Sequence, residues 1–155
     1  MGGLVIIGGS YAAMNIAVSA RQHGFGDAIK ILSDESYPPY HRPPLSKGYL
    51  LGEVDVGTLP LRGESFYRDN HIEVVLDTRV NVVAGDGWVD SSQGRFAFDK
   101  LAFATGSRAR LLGVPGENLD GVVTLHSRHR TIIPNEPKLA PLQRFLAQIK
   151  QPTEL

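Results

Sequence analysis

Three features of the chain predict an α/β fold that pairs a parallel sheet with a small antiparallel β-meander. A strand, a glycine-rich turn, a helix and a second strand fill the first 32 residues. Two later, mostly apolar runs, Ile72–Leu76 and Lys100–Ala104, interrupted only by Glu73 and Lys100, read as buried strands. Between them, from Arg79 to Phe98, the apolar period shortens to two and small turn residues recur, which is the pattern of short antiparallel strands.

The elements follow in order. Leu4–Ile7 is the first strand, and the turn Gly8-Gly9-Ser10 leads into a helix from about Ser10 to His23. That helix carries Ala12, Ala13, Ile16, Ala17 and Ala20 on one side, which suits packing on a sheet, and Gly24 is placed to stop it as a C′ glycine. Ala28–Leu32 is the second strand. The segment Tyr37–Lys47 contains four prolines, which deny regular helix and predict a stiff, extended loop. Phe66–Asp69 reads as helical, and Ile72–Leu76 returns as a buried strand. The meander strands are Arg79–Val83, Gly87–Asp90 and Arg95–Phe98, divided by Gly85-Asp86-Gly87 and Ser91–Gly94. From Arg128 the character changes, with prolines at 134, 137 and 141 and one modest amphipathic stretch from Leu142 to Ile149.

The opening unit carries chemistry. A nucleotide pyrophosphate needs backbone N–H groups at close range and the partial positive charge of a helix N-terminus, and a strand–glycine turn–helix supplies both. Against the GxGxxG fingerprint, Gly8 takes the first position, while Ser10 and Ala13 stand at the second and third. Alanine meets the packing demand of the third position. Ser10 brings a hydroxymethyl group toward the phosphates and offers a hydrogen bond there. After the second strand come Asp34 and Glu35, and Asp34 lies 21 positions beyond Ala13, close to the roughly 20-residue interval of a ribose-binding carboxylate. A βαβ start whose Asp34 merely begins a turn is the alternative.

Composition bounds the possibilities. The 155 residues are 42% apolar with a formal net charge of zero, enough chain for one globular domain and no basic surface for nucleic acid. Residues 1–127 hold 11 Lys/Arg and 14 Asp/Glu, whereas residues 128–155 hold 5 and 2, so an acidic body carries a basic tail. There is no cysteine, which excludes disulfides, cysteine-ligated metal and a CxxC redox pair within this chain. Redox chemistry must therefore belong to a bound cofactor. No apolar run approaches the 18 or so residues of a membrane span, and a cytoplasmic location is expected. His126 and His129 are spaced i, i+3, but no third ligand accompanies them, and no metal site is expected.

The residues VIIGGSYAAMNIAVSARQHG, the Asp34-Glu35 pair, PYHRPPLSKGYLLG, LPLR at Leu59–Arg62 and LAFATGSRAR from Leu101 to Arg110 together carry a family likeness. The chain resembles the FAD-dependent pyridine nucleotide-disulfide oxidoreductase superfamily, of the ferredoxin, rubredoxin and putidaredoxin reductase type. His41–Lys47, HRPPLSK, is the most specific marker. The likeness spans residues 3 to about 127 and implies a Rossmann-like FAD-binding βαβ in an incomplete domain, residues 1–127, followed by an atypical tail, residues 128–155. By that resemblance Gly8, Ser10, Tyr11, Ala12 and Ala13 hold the FAD pyrophosphate, and Asp34 or Glu35 the adenosine ribose. Arg42 and Lys47 lie beside phosphate and flavin, where a cation raises the electron affinity of the ring. Val80 meets adenine through its backbone, Thr105 and Gly106 make a second FAD contact, and His126 stands where many relatives place an arginine.

The implied activity is electron transfer from NAD(P)H through FAD to a ferredoxin-like iron–sulfur protein. A second glycine fingerprint for NAD(P)H and the family's later interface domain are not recognisable in the 155 residues, so this chain alone is expected to bind FAD weakly or not at all and to be inactive. Besides a simple NAD dehydrogenase, two other readings stay open on the residues. One is a non-catalytic nucleotide-binding or assembly module. The other is a serine hydrolase using Ser10, because Gly8-Gly9-Ser10-Tyr11-Ala12 approximates a GxSxG elbow with Asp120 and His126 following; only seven residues precede the turn, too few for the strands and oxyanion loop such an elbow requires.

Overall fold

The computed structural model describes residues 2–108, 110, 113–117, 119 and 122. They divide into two compact units: residues 2–40 with Pro60–Gly106, and His41–Leu59 with the described residues after Gly106.

The first unit is built on a four-stranded parallel sheet in the order β3-β2-β1-β7, with β1 Leu4–Ile7, β2 Ile29–Leu32, β3 Ile72–Val75 and β7 Lys100–Phe103. Leu4 pairs with Ile29 on one side and Lys100 on the other, so the strands run in step and their C-terminal ends share one edge. Chain order reverses at β1: β2 lies on one flank and β7 on the other. Such a switch point opens a crevice at the strand ends.

Both faces of the sheet are covered, as its mostly apolar strands require. Leu4, Ile6, Ile29 and Ile31 point toward α1, Tyr11–Gln22, which contributes Ala13, Met14 and Ala17 to the same buried cluster. Tyr67 from α2, Glu64–Asp69, joins them. The alternate residues Val5, Ile7 and Leu32 pack with Val89, Val80 and Phe96 of a separate antiparallel sheet, β4 Val80–Ala84, β5 Trp88–Ser91 and β6 Gly94–Ala97, in the order β4-β5-β6. The small side chains of α1 let it lie close on the strands. The meander closes the second face, and Gly87 and Gly94 at its turns adopt positive φ.

α1 ends as its sequence predicts. Gly24 takes φ +81, its N–H donates to Arg21 O, and Phe25 N–H donates to Ala20 O, the paired bonds of a Schellman stop. The Arg21 guanidinium then ties this corner together, donating to the carbonyls of Phe25, Asp27, Asn70 and His71. His71 itself sits at φ +50, and a planar cation with several donors satisfies the carbonyls such a turn exposes.

The proline segment departs from expectation. It is not extended throughout: in the second unit Pro43–Ser46 winds into a 3₁₀ turn with prolines at its first two positions, followed by a second such turn at Val56–Thr58. Proline's fixed φ suits the start of a helix, where its missing N–H would have had no partner anyway. The Asp55 side chain accepts from Gly57 N–H at 2.7 Å to cap the second turn, and His41 N–H donates to Leu59 O at 2.8 Å to close the segment. Leu45, Leu50 and Leu59 are buried.

Candidate functional site

The candidate site is the turn at the C-terminal end of β1. Gly8 N–H donates to Leu32 O, Ala104 N–H donates to Ile7 O, and Gly8 adopts φ +112, a conformation that L side chains rarely enter. A Cβ at Gly8 would lie 2.3 Å from Ala104 O, so the turn is pressed directly against the end of β7. On the opposite flank, a Cβ at Gly9 would lie 2.2 Å from the Oγ of fully buried Ser33 at the end of β2. Two glycines are thus needed because the turn is wedged between the neighbouring strand ends.

The helix begins immediately. Ser10 is the N-cap of α1, with extended φ −109 and ψ 171, and its Oγ accepts from Ala13 N–H at 3.2 Å. The same hydroxyl donates to Ala104 O at 2.9 Å. The serine proton is therefore directed at the protein, not outward as the sequence suggested. Met14 N–H is satisfied by Ser10 O. The N–H groups of Gly9, Ser10 and Ala12 have no hydrogen-bond acceptor among the described residues, and they collect where the helix dipole is positive. That is the donor set a phosphate group fits.

Carboxylates stand at the end of β2. Asp34 is exposed, whereas Glu35 is half-buried and its Oε2 accepts from the hydroxyl of buried Tyr40 at 2.6 Å. Ser33 Oγ accepts from Glu35 N–H at 3.2 Å, and Thr78 N–H donates to Ser33 O, which brings the chain entering β4 alongside the same edge. Val80 follows as the first residue of β4, half-buried against the meander-side core. Thr105 and Gly106, exposed and with Gly106 at φ +71, continue from Ala104 beside the Gly8 turn.

The fold thus assembles Gly8, Ser10, Tyr11, Ala12, Ala13, Asp34, Glu35, Thr105 and Gly106 along one sheet edge, with Val80 on the strand that follows β3. Arg42 and Lys47 belong to the second unit, at the N-cap and C-cap of the Pro43–Ser46 turn. His126 and Asp120 lie outside the described residues. Ser10 Oγ bonds only to backbone groups among the described residues, so no base activates it there for the hydrolase reading. No group of three His, Cys, Asp or Glu among them is arranged to hold a metal, and no helix there is long and apolar enough to cross a membrane.

Sequence reasoning passed over Gly9, Ser33, Tyr40 and Ala104. Gly9 falls at an unspecified position of the fingerprint, although its neighbour Gly8 and the small Ser33 directly after β2 were both visible. Tyr40 reads as ordinary packing, and its role depends on a carboxylate five residues away.

A doubly covered parallel sheet with a wedged glycine turn at its switch point defines a dinucleotide-binding α/β protein. Comparison with known proteins narrows the class: the chain belongs to the pyridine nucleotide-disulphide oxidoreductase family, whose model matches residues 3–144. It is 42% identical over 126 residues, 80% of its length, to a rubredoxin-NAD(+) reductase from Pseudomonas putida, and covers 33% of that protein. A rhodocoxin reductase from Rhodococcus erythropolis is 41% identical over 77% of the chain, which covers 28% of it. Among solved structures, a ferredoxin reductase from Rhodopseudomonas palustris superposes with a TM-score of 0.76 at 30% identity, over 96% of this chain and 35% of its own. The reductase of a covalent putidaredoxin reductase–putidaredoxin complex gives 0.75 at 28% identity, over 94% and 34%. The chain spans about a third of the length of the curated relatives it matches.

Proposed function

We propose that this chain supplies the FAD-binding part of a flavin-dependent NAD(P)H oxidoreductase that passes electrons to a ferredoxin-like iron–sulfur protein. The observation that carries the reading is the trio of N–H groups at Gly9, Ser10 and Ala12 at the start of α1, without an acceptor among the described residues, in a turn whose glycines admit no side chain between the ends of β2 and β7. The Gly8–Ala13 segment would hold the pyrophosphate. Asp34 or Glu35 would accept from the ribose hydroxyls, with the Glu35 carboxylate tied to the Tyr40 hydroxyl and Asp34 exposed beside it. Val80, Thr105 and Gly106 would line the adenine side and the second contact; Arg42, Lys47 and His126 complete the set.

Bound FAD would supply the exchange between two-electron chemistry with NAD(P)H and one-electron chemistry with the partner. The chain's own residues bind and orient it: backbone donors neutralise phosphate charge, and Lys47 would favour added negative charge on the ring. Names of the relatives, rubredoxin-NAD(+) reductase and putidaredoxin reductase, support an iron–sulfur partner for this chain as well. The reading takes residues 1–127 as the cofactor-binding part and residues 128–155 as a tail of different character, and places the protein in the cytoplasm.

Titration of the purified chain with FAD, followed by quenching of flavin fluorescence, tests this. Weak saturable binding that disappears in Gly8→Ala is expected, together with no NADH oxidation by the chain alone with ferricyanide as acceptor. Equal quenching by the native chain and Gly8→Ala would refute the cradle.

A further inference from the structure

We infer that Ser10, standing where the fingerprint has its second glycine, is a positioning residue: its hydroxyl braces the start of α1 against the end of β7 and takes no part in holding phosphate. The inference rests on the FAD-cradle reading and adds to it a footprint, the N–H groups of Gly9, Ser10 and Ala12 without that of Ala13.

The hydroxyl has one proton and two lone pairs. The proton goes to Ala104 O at 2.9 Å, and one lone pair receives Ala13 N–H at 3.2 Å. What remains is an acceptor. An ionised phosphate oxygen is also only an acceptor, so Ser10 Oγ bonds to a phosphate only by releasing Ala104. Release would leave the Ala104 carbonyl, buried with its residue, without this donor.

Backbone geometry removes the usual reason for glycine here. At φ −109 and ψ 171 Ser10 is in ordinary extended conformation, so a β-carbon costs nothing. The left-handed demand of the turn falls on Gly8 instead, and Gly8 presses on the same Ala104 carbonyl that Ser10 bonds. Glycine at position 8 permits the approach, and serine at position 10 locks it. The lock also removes Ala13 N–H from the donors available to a ligand. The N–H groups of Gly9, Ser10 and Ala12 are left for phosphate, and the brace holds them in fixed relation to β7 and to Thr105–Gly106 beyond it.

The test is amide NMR on the full 155-residue chain with FAD as the probe, using Ser10→Ala and Ser10→Thr. In the native chain, FAD should displace the amide resonances of Gly9, Ser10 and Ala12 and leave Ala13 nearly still. In Ser10→Ala without ligand, Ala13 amide exchange should accelerate about fivefold to tenfold, the loss of one capping bond. FAD affinity should fall by about as much at a temperature where the variant is fully folded. Ser10→Thr, which keeps both bonds, should restore exchange and affinity. Unchanged Ala13 exchange in Ser10→Ala overturns the brace, and an Ala13 shift as large as that of Gly9 in the native chain overturns the footprint. Should FAD move none of these amides, the cradle reading fails while the exchange measurement still decides the brace. If Ser10→Ala does not fold, the native-chain shifts and Ser10→Thr decide.

Discussion

Replacing Gly8 by alanine isolates the constraint on which the nucleotide turn depends. Two costs add at this position. The residue sits at φ +112, and forcing an L residue into such a conformation costs about 1–3 kcal/mol. The new methyl would also lie 2.3 Å from Ala104 O and 2.7 Å from its carbonyl carbon, both backbone atoms that cannot rotate away, so the end of β7 must move. Overpacking of that kind adds about 1–3 kcal/mol. A total near 4 kcal/mol is a large fraction of a domain stability of about 5–15 kcal/mol. Gly24 provides the internal control, because it too has positive φ, at +81, yet a methyl there meets nothing within 4 Å. Gly24→Ala should cost only the left-handed penalty, about 1–2 kcal/mol. Urea unfolding followed by Trp88 fluorescence gives both numbers from the same fold. If Gly8→Ala costs no more than Gly24→Ala, the wedge between β1 and β7 does not exist as described.

Three further outcomes follow from the same geometry. Arg21→Ala removes the donor to four carbonyls at the α1–α2 corner and should cost about 1–2 kcal/mol by thermal unfolding, with Arg21→Lys recovering little because one ammonium cannot span them. Tyr67 is buried and its hydroxyl has no partner among the described residues, so burial raises its pKa above the ordinary value of 10 against a smaller opposing effect of Arg62. The contribution of the neutral hydroxyl is therefore fully present below pH 10 and lost as pH rises toward the folded value, because the unfolded phenol ionises first. Tyr67→Phe should abolish that alkaline decline and leave neutral-pH stability unchanged or raised by about 1 kcal/mol, read from urea midpoints at pH 7 and above pH 10. Tyr40→Phe removes the 2.6 Å bond to Glu35 and should weaken FAD binding several-fold with little change in melting temperature; unchanged affinity would count against Glu35 as the ribose acceptor.

Much of this protein was legible in its residues. The apolar runs of β1, β2, β3 and β7, the two-residue period of the meander, and Gly24 as a helix stop all rest on local rules of periodicity and backbone freedom, and each element formed within one or two residues of its expected place. The HRPPLSK segment and the glycine turn pointed to the family on which the comparisons also converge. The proline segment was misread as extended because proline's fixed φ serves an extended chain and the first turn of a 3₁₀ helix alike, and only the carbonyls that accept from Leu45 and Lys47 separate the two. Non-local contacts were beyond sequence reading for a plain physical reason. Ser10 and Ala104 stand 94 positions apart, and no pattern within the helix announces where its hydroxyl proton will go. The order β3-β2-β1-β7 alone brings that carbonyl to the glycine turn, and with it decides which N–H groups remain for a ligand.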